Sequence, residues 1–230
     1  MRLTLNPQLK NWQVKLKKKS PSHNLESIAE RVRLYFTSKD SARETTLSLT
    51  REIIRYSANA IRAIHRQDEK EATRLIGLAS ESIHKLNSNS AESHHDLLFM
   101  GFVHDAQKEF AEANITFSLI VGKPLPDPDE LGIGYAAYLN GLGEAVGEMR
   151  RYVLDSIRKD NLARSEEVLS IMDDIYNTLI TMDFPDAITH GLRRNTDSVR
   201  GILEKTRGDL TLVLKQKSLE ERLNRLTNGS

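Results

Sequence analysis

Asp105, Glu109 and Glu112 follow one another at i, i+4 and i+7, and further along the chain Glu144 and Glu148 stand one helical turn apart. On a helix the first spacing lines three carboxylates along one edge, and the second lines up two. Like charges so placed repel, and the repulsion is relieved when cations or a metal ion lie close by. Oxygen donors without Cys or His suit hard cations, magnesium first and manganese second, rather than zinc. A divalent ion in such a set activates water and offsets charge on a phosphate. The same spacing also describes an ordinary wet helix face, because Glu144 and Glu148 lie across their helix from Leu142, Val146, Met149 and Val153. Spacing alone leaves both readings open.

A second set is basic. At 100° per residue Arg51, Arg55, Arg62 and Arg66 fall within about 60° of one another, beside the apolar arc of Leu47, Ile54 and Ile61. Guanidinium forks suit phosphate, so this edge could track a nucleic-acid backbone, or it could be a solvated face paired with acids. Arg43, near the start of the same helix, belongs to the same pair of readings. His94 and His95 offer phosphate contacts or metal ligation, against exposed and idle side chains at a helix entry. A di-iron carboxylate bundle needs two Glu-x-x-His pairs, and the chain has one, Glu81 to His84. It has no Gly-x-Ser-x-Gly, Walker A or Gly-x-Gly-x-x-Gly pattern.

These residues must be positioned by helices. Gly and Pro together are 12 and 6 of 230 residues, which leans helical. From Leu25 onward apolar residues recur at three and four. The spacing predicts a short helix over 25–35, a second from Asp40 or Ser41 to about Arg66 with a Ser41/Glu44 capping box, and a third over 68–86. Asn87 to Ser90 then reads as a break. A fourth helix carries Phe99, Phe102, Val103, Ala106, Phe110, Ala113 and Phe117 and stops before Gly122. Pro124 to Gly134 reads as the longest loop. A fifth helix spans about 135–158, a sixth 162–182 and a seventh 186–226. Gly143 and Gly147, one turn apart, would let another backbone approach. The fold class is all-α, a bundle of seven helices without strands.

The net charge of +1 conceals an asymmetry. The first 25 residues hold Arg2, Lys10, Lys15, Lys17, Lys18 and Lys19 and no acid, leaving 27 basic against 32 acidic residues beyond them. The division expected is therefore a basic tail over 1–24, either a phosphate-contacting arm or a solvated segment, and a helical domain over 25–230. A body of net −5 does not advertise nucleic-acid binding, so any such role rests on local arrangement. No cysteine means no disulfide, thiolate site or thiol nucleophile and suits a reducing compartment, so a cytoplasmic location is expected. No apolar run approaches the ~20 residues of a membrane span, and no membrane partner is expected.

Gln107 to Ala113 (Gln-Lys-Glu-Phe-Ala-Glu-Ala) and Tyr138 to Arg151 (Tyr-Leu-Asn-Gly-Leu-Gly-Glu-Ala-Val-Gly-Glu-Met-Arg-Arg) resemble the translin superfamily, in particular its TRAX (translin-associated factor X) branch. The second stretch is the more diagnostic, with a Tyr-Leu-x-Gly start and a Gly-Glu-hydrophobic-Arg end. The likeness continues in the Ser-Leu-Thr-Arg-Glu-Ile-Ile-Arg and Ile-His-Arg pieces of 43–66, and in Leu-Arg-Arg and Val-Arg-Gly-Ile-Leu-Glu-Lys-Thr-Arg-Gly-Asp-Leu of 191–214. It covers roughly 41–214.

The resemblance implies a seven-helix fold assembled into an octameric shell that encloses RNA. TRAX-type members resemble magnesium-dependent endoribonucleases, whereas translin-type members bind single-stranded RNA or DNA and lack the acidic cluster. By that resemblance the catalytic, metal-holding carboxylates are Glu109, Glu112, Glu144 and Glu148. Glu144 stands where aspartate is usual, so the oxygens there sit one methylene further out. Arg43 matches a basic RNA-binding position, His95 lies near a family histidine, and Arg51 and Arg55 would line the backbone path. The function implied is a magnesium-dependent endoribonuclease on single-stranded RNA, the alternative a non-catalytic binder of single-stranded RNA or DNA. An enclosed octameric cavity also explains why carboxylates lie outside the monomer core, and it lets short basic lines from several subunits add up.

Overall fold

The computed structural model describes residues 22, 24–92 and 94–228, and of 90–92 and 228 the backbone alone. The expected tail over 1–24 lies almost wholly outside the described residues. Among them there are α-helices and no strand: α1 (Leu25–His65), α2 (Glu69–Glu92), a 3-10 turn (His95–Phe99), α3 (Gly101–Val121), α4 (Pro128–Leu131), α5 (Tyr135–Arg158), α6 (Leu162–Leu179), α7 (Asp186–Thr189) and α8 (Leu192–Asn228). The described residues up to Arg43 form one unit, and those from Glu44 onward a second. No described helix is long and apolar enough to cross a membrane.

Several expected boundaries are displaced, each for a local reason. The first two expected helices are one, because Phe36 to Asp40 holds no Gly or Pro: Phe, Thr, Ser and Asp each cost only a few tenths of a kcal/mol, and Lys39 is a good helix former. The Ser41/Glu44 spacing therefore lies inside α1 rather than capping it. The expected break at Asn87 to Ser90 is helical through Glu92. Its polar side chains find partners: Asn87 Nδ2 donates to Gly132 O at 2.8 Å, and Ser88 Oγ donates back to His84 O at 2.9 Å. Phe99 is in the 3-10 turn and 74% exposed, not on the inward face of α3. The 124–134 loop contains α4, one turn long, with Pro128 at its start and Asp127 accepting from the Asp129 amide at 2.8 Å. The last expected helix is split into α7 and α8 at His190 and Gly191, both with positive φ (51° and 83°).

The core belongs to the second unit, and α5 is its axis, packed against α3, α6 and α8. Phe110, Ile115, Val146, Met149, Val153, Val168, Met172 and Val199 are all at most 1% exposed there. Burying side chains of this size contributes about 1.5–3 kcal/mol each. Polar contacts fix the register of these helices. Gly134 N donates to Gln107 Oε1 at 3.2 Å, tying the start of α5 to α3. Arg164 of α6 donates to Leu119 O and Ile120 O, meeting the bare carbonyls at the end of α3 with a cation. On α8, Asp209 pairs with Arg150 of α5 at 2.7 Å.

The α3–α5 contact depends on one small residue. A Cβ at Gly141 would stand 2.6 Å from Ala111 Cβ and 2.7 Å from Lys108 O, so only glycine lets the two backbones come this close. Gly143 admits Asn195 of α8, whose side chain occupies the space of a Cβ. Gly147, expected to share this role, faces open space. The close-approach pair is Gly141 and Gly143, two residues apart rather than one turn.

Candidate metal centre

Glu109 and Glu112 project from α3 and Glu144 from α5, and Gly141 holds the two helices together one turn before Glu144. One carboxylate oxygen from each of the three lies within 4.8 Å of the others. Glu112 is 9% exposed, and Glu109 and Glu144 are half-buried. Burial, then the charges of Glu109, Glu144 and Glu148, pushes the Glu112 carboxyl up to about 8. Burial and the Glu144 charge raise Glu109 as well. Three acids held together out of water are unfavourable as anions, and a cation among them removes the cost. The donors are all oxygen, which matches magnesium or manganese.

Two cationic or proton-bearing groups border these acids. Lys108 Nζ lies 2.7 Å from Glu144 Oε1, reaching from α3 to α5. Burial lowers the Lys108 ammonium, but its hydrogen bond to Glu144 and the charges of Glu144, Glu109 and Asp105 outweigh this and raise it overall. His65, at the end of α1 with a side chain 4% exposed, donates from Nε2 to Glu148 Oε2. Its Nδ1 is buried without a hydrogen-bond partner. The His65 hydrogen bond, against burial, keeps the Glu148 carboxyl below the usual range, and Arg151 at 3.9 Å adds to this. Glu148 thus stands outside the group of three, engaged by His65. Asp105 is exposed and also outside it.

Lys108 and His65 carried sequence signals. Lys108 precedes Glu112 by four residues and so shares the acidic edge of α3. His65 follows Ile61 by four and so falls on the buried face of α1.

The basic candidates stand apart from the acids. Arg51 and Arg55 are exposed on α1, without an ion pair among the described residues, and the Arg55 guanidinium lies 5.0 Å from the Tyr56 ring centre. Arg62 donates to Asn59 Oδ1 at 2.6 Å. Arg43, the last residue of the first unit, is exposed. His95 is exposed in the 3-10 turn, its ring 5.4 Å from that of Phe99.

The fold and this chain's sequence are both matched by solved C3PO structures, complexes of the translin/TRAX type. The AfC3PO–duplex RNA complex and the crystal structure of AfC3PO are each 30% identical to this chain, with TM-scores of 0.76 and 0.75. Each match covers 82% of this chain and 97% of the other. The chain belongs to the translin superfamily. A further relative, the uncharacterized protein MJ0175 of Methanocaldococcus jannaschii, is 38% identical over 197 residues, 85% of this chain and 86% of that protein. Apo-NeC3PO, at 18% identity and a TM-score of 0.70 over 83% of this chain and 97% of its own, shares the translin fold. No protein-family profile matches this translin-superfamily chain.

Proposed function

We propose that this chain is a metal-dependent endoribonuclease of the TRAX type, acting on single-stranded RNA inside an oligomeric shell. The observation that carries the reading is the convergence of Glu109, Glu112 and Glu144 from two helices within 4.8 Å. It is supported by 30% identity to AfC3PO, which has been solved with duplex RNA. Magnesium or manganese held by these three carboxylates, and by Glu148 if His65 releases it, would supply Lewis acidity for phosphodiester hydrolysis.

The protein's own residues do the rest. Glu112 keeps a proton near neutral pH while its neighbours are anionic and gives it up when a cation joins them. Lys108 neutralises Glu144 and stands ready to turn toward a phosphate. Arg51 and Arg55, with Arg43, grip the RNA backbone, which carries no base identity and so confers little sequence preference. Leu212, Leu219, Leu223 and Leu226 are exposed along α8 and suit burial against other copies in an octamer.

One observation favours a second reading, a non-catalytic binder of single-stranded RNA or DNA: Lys108 and His65 already satisfy two of the four glutamates. A nuclease assay with magnesium and with EDTA, on single-stranded and duplex RNA and beside a sizing column, separates the two. The nuclease reading requires magnesium-dependent cleavage of single strands by a large particle. Retention of RNA with no cleavage under either condition leaves the binder.

A further inference from the structure

A cavity of about 500 Å³ opens beside Glu144, bounded by α3, α5, the α7–α8 junction and α8. It lies within the size range of small-ligand sites. Its wall carries three kinds of chemistry. The first is a flat surface: the His104 and His190 rings stack with centres 4.2 Å apart and planes 17° from parallel, and His190 is exposed. The second is a donor: Arg194 borders the cavity and has no ion pair among the described residues. The third is a pair of acceptors, Asp105 and Asp186.

The backbone is bent to present the stack. His190 holds a left-handed conformation (φ 51°) that a residue with a Cβ adopts at a cost of order 1 kcal/mol, and Gly191 follows at 83°. The buried amide of Asn140 and the part-buried amide of Asn195 lock that junction. Asn140 Nδ2 donates to Thr189 O at 2.8 Å, and Asn195 Nδ2 donates to Asn140 O at 2.8 Å. Gly143 leaves the room that Asn195 fills. A glycine at 190 would relieve the backbone and remove the ring.

From this geometry we infer that the cavity is the subsite for the nucleotide beside the scissile phosphate: the base stacks on His190, Arg194 holds that nucleotide's own phosphate, and Asp105 and Asp186 accept from the base amino groups. The assignment rests on the nuclease reading for the word scissile, but the pocket's affinity for a nucleotide is measurable without cleavage. An imidazole face accepts any base, whereas the two carboxylates favour bases that carry an amino group, so the subsite ranks uracil below the others.

Calorimetric titration with adenosine 5′-monophosphate, and separately with inorganic phosphate, tests it in magnesium and in EDTA. Wild type binds the nucleotide more tightly than phosphate. Arg194→Ala weakens the nucleotide at least about tenfold, and His190→Gly weakens it several-fold while leaving phosphate unchanged, since base stacking is lost without backbone strain. Arg200→Ala, outside the cavity, binds as wild type does. A thermal melt of His190→Gly no lower than wild type shows that the loss is not unfolding. Equal nucleotide affinity in wild type, Arg194→Ala and His190→Gly, or no binding by wild type, overturns the subsite. If binding depends on these residues but RNA is never cut, the subsite stands as a nucleotide site and the nuclease reading fails.

Discussion

Lys108 Nζ, on α3, lies 2.7 Å from Glu144 Oε1, on α5, so the Lys108 ammonium is already spent bridging the two helices that build the acidic cluster. The pair occupies the position that a second cation would contest, which makes Lys108 the first residue to perturb. Lys108→Met should destabilise the metal-free protein, because a part-buried carboxylate loses its partner at a cost of about 1–3 kcal/mol. Magnesium should restore that loss, and its affinity for the variant should rise several-fold. Chemical denaturation in EDTA and in magnesium measures both.

The Glu112 carboxyl, raised to about 8, makes the metal-free protein sensitive to pH. The folded state binds this proton more tightly than the unfolded chain, whose value is near 4.5, so the associated stability is complete below pH 4.5 and drains away as pH climbs toward 8. The slope is up to roughly 1.4 kcal/mol per pH unit, and the raised Glu109 adds to it with the same sign. Melts in EDTA at pH 5.5 and 8.5 should therefore show the higher pH to be less stable. Glu112→Gln should flatten this dependence, and magnesium should do so in wild type. A metal-free protein that is more stable at pH 8.5 than at 5.5 contradicts the burial of this acid.

Two glycines on α5 should respond in opposite ways to the same change. Gly141→Ala drives a methyl into Ala111 Cβ and the Lys108 carbonyl, forcing α3 and α5 apart at a cost of about 1–3 kcal/mol and splaying Glu109 and Glu112 from Glu144. Gly147→Ala meets nothing within 4 Å and should gain up to about 1 kcal/mol from helix propensity. Midpoints of urea unfolding would show the two signs, and magnesium affinity should fall only in the first variant.

How far these features could be read from sequence depends on whether they are properties of one helix. The carboxylate edge of α3, the guanidinium edge of α1 and the apolar faces were legible because helical spacing alone determines who shares a face. The choice of Gly143 and Gly147 followed that same spacing, but the approach at Gly141 is set by where α3 crosses, which no single-helix pattern contains. The pairing of Glu148 with His65 joins residues 83 apart in sequence and depends on how α1 meets α5. The α7–α8 split was visible in part: Gly191 is a helix-stop residue, but the helical spacing of Ile188, Leu192 and Val199 runs across it.

His65 should prove to hold Glu148 rather than merely fill space. His65→Phe keeps the buried bulk but removes the donor, so the Glu148 carboxyl should rise toward and above its ordinary value as burial goes unopposed. The stability that this depressed carboxyl contributes is present above pH 4.5 in wild type and lost as pH falls below it, and that acid-side loss should disappear in the variant. Acid titrations of stability for wild type and His65→Phe give the comparison.

The most direct measurement is a crystal of the full chain equilibrated with manganese, read by anomalous diffraction. A peak between Glu109, Glu112 and Glu144, with Lys108 withdrawn from Glu144 and the peak abolished by Glu112→Gln, is the result predicted. Three carboxylates without a peak at saturating manganese, and Lys108 still bound to Glu144, would contradict a metal centre at this site.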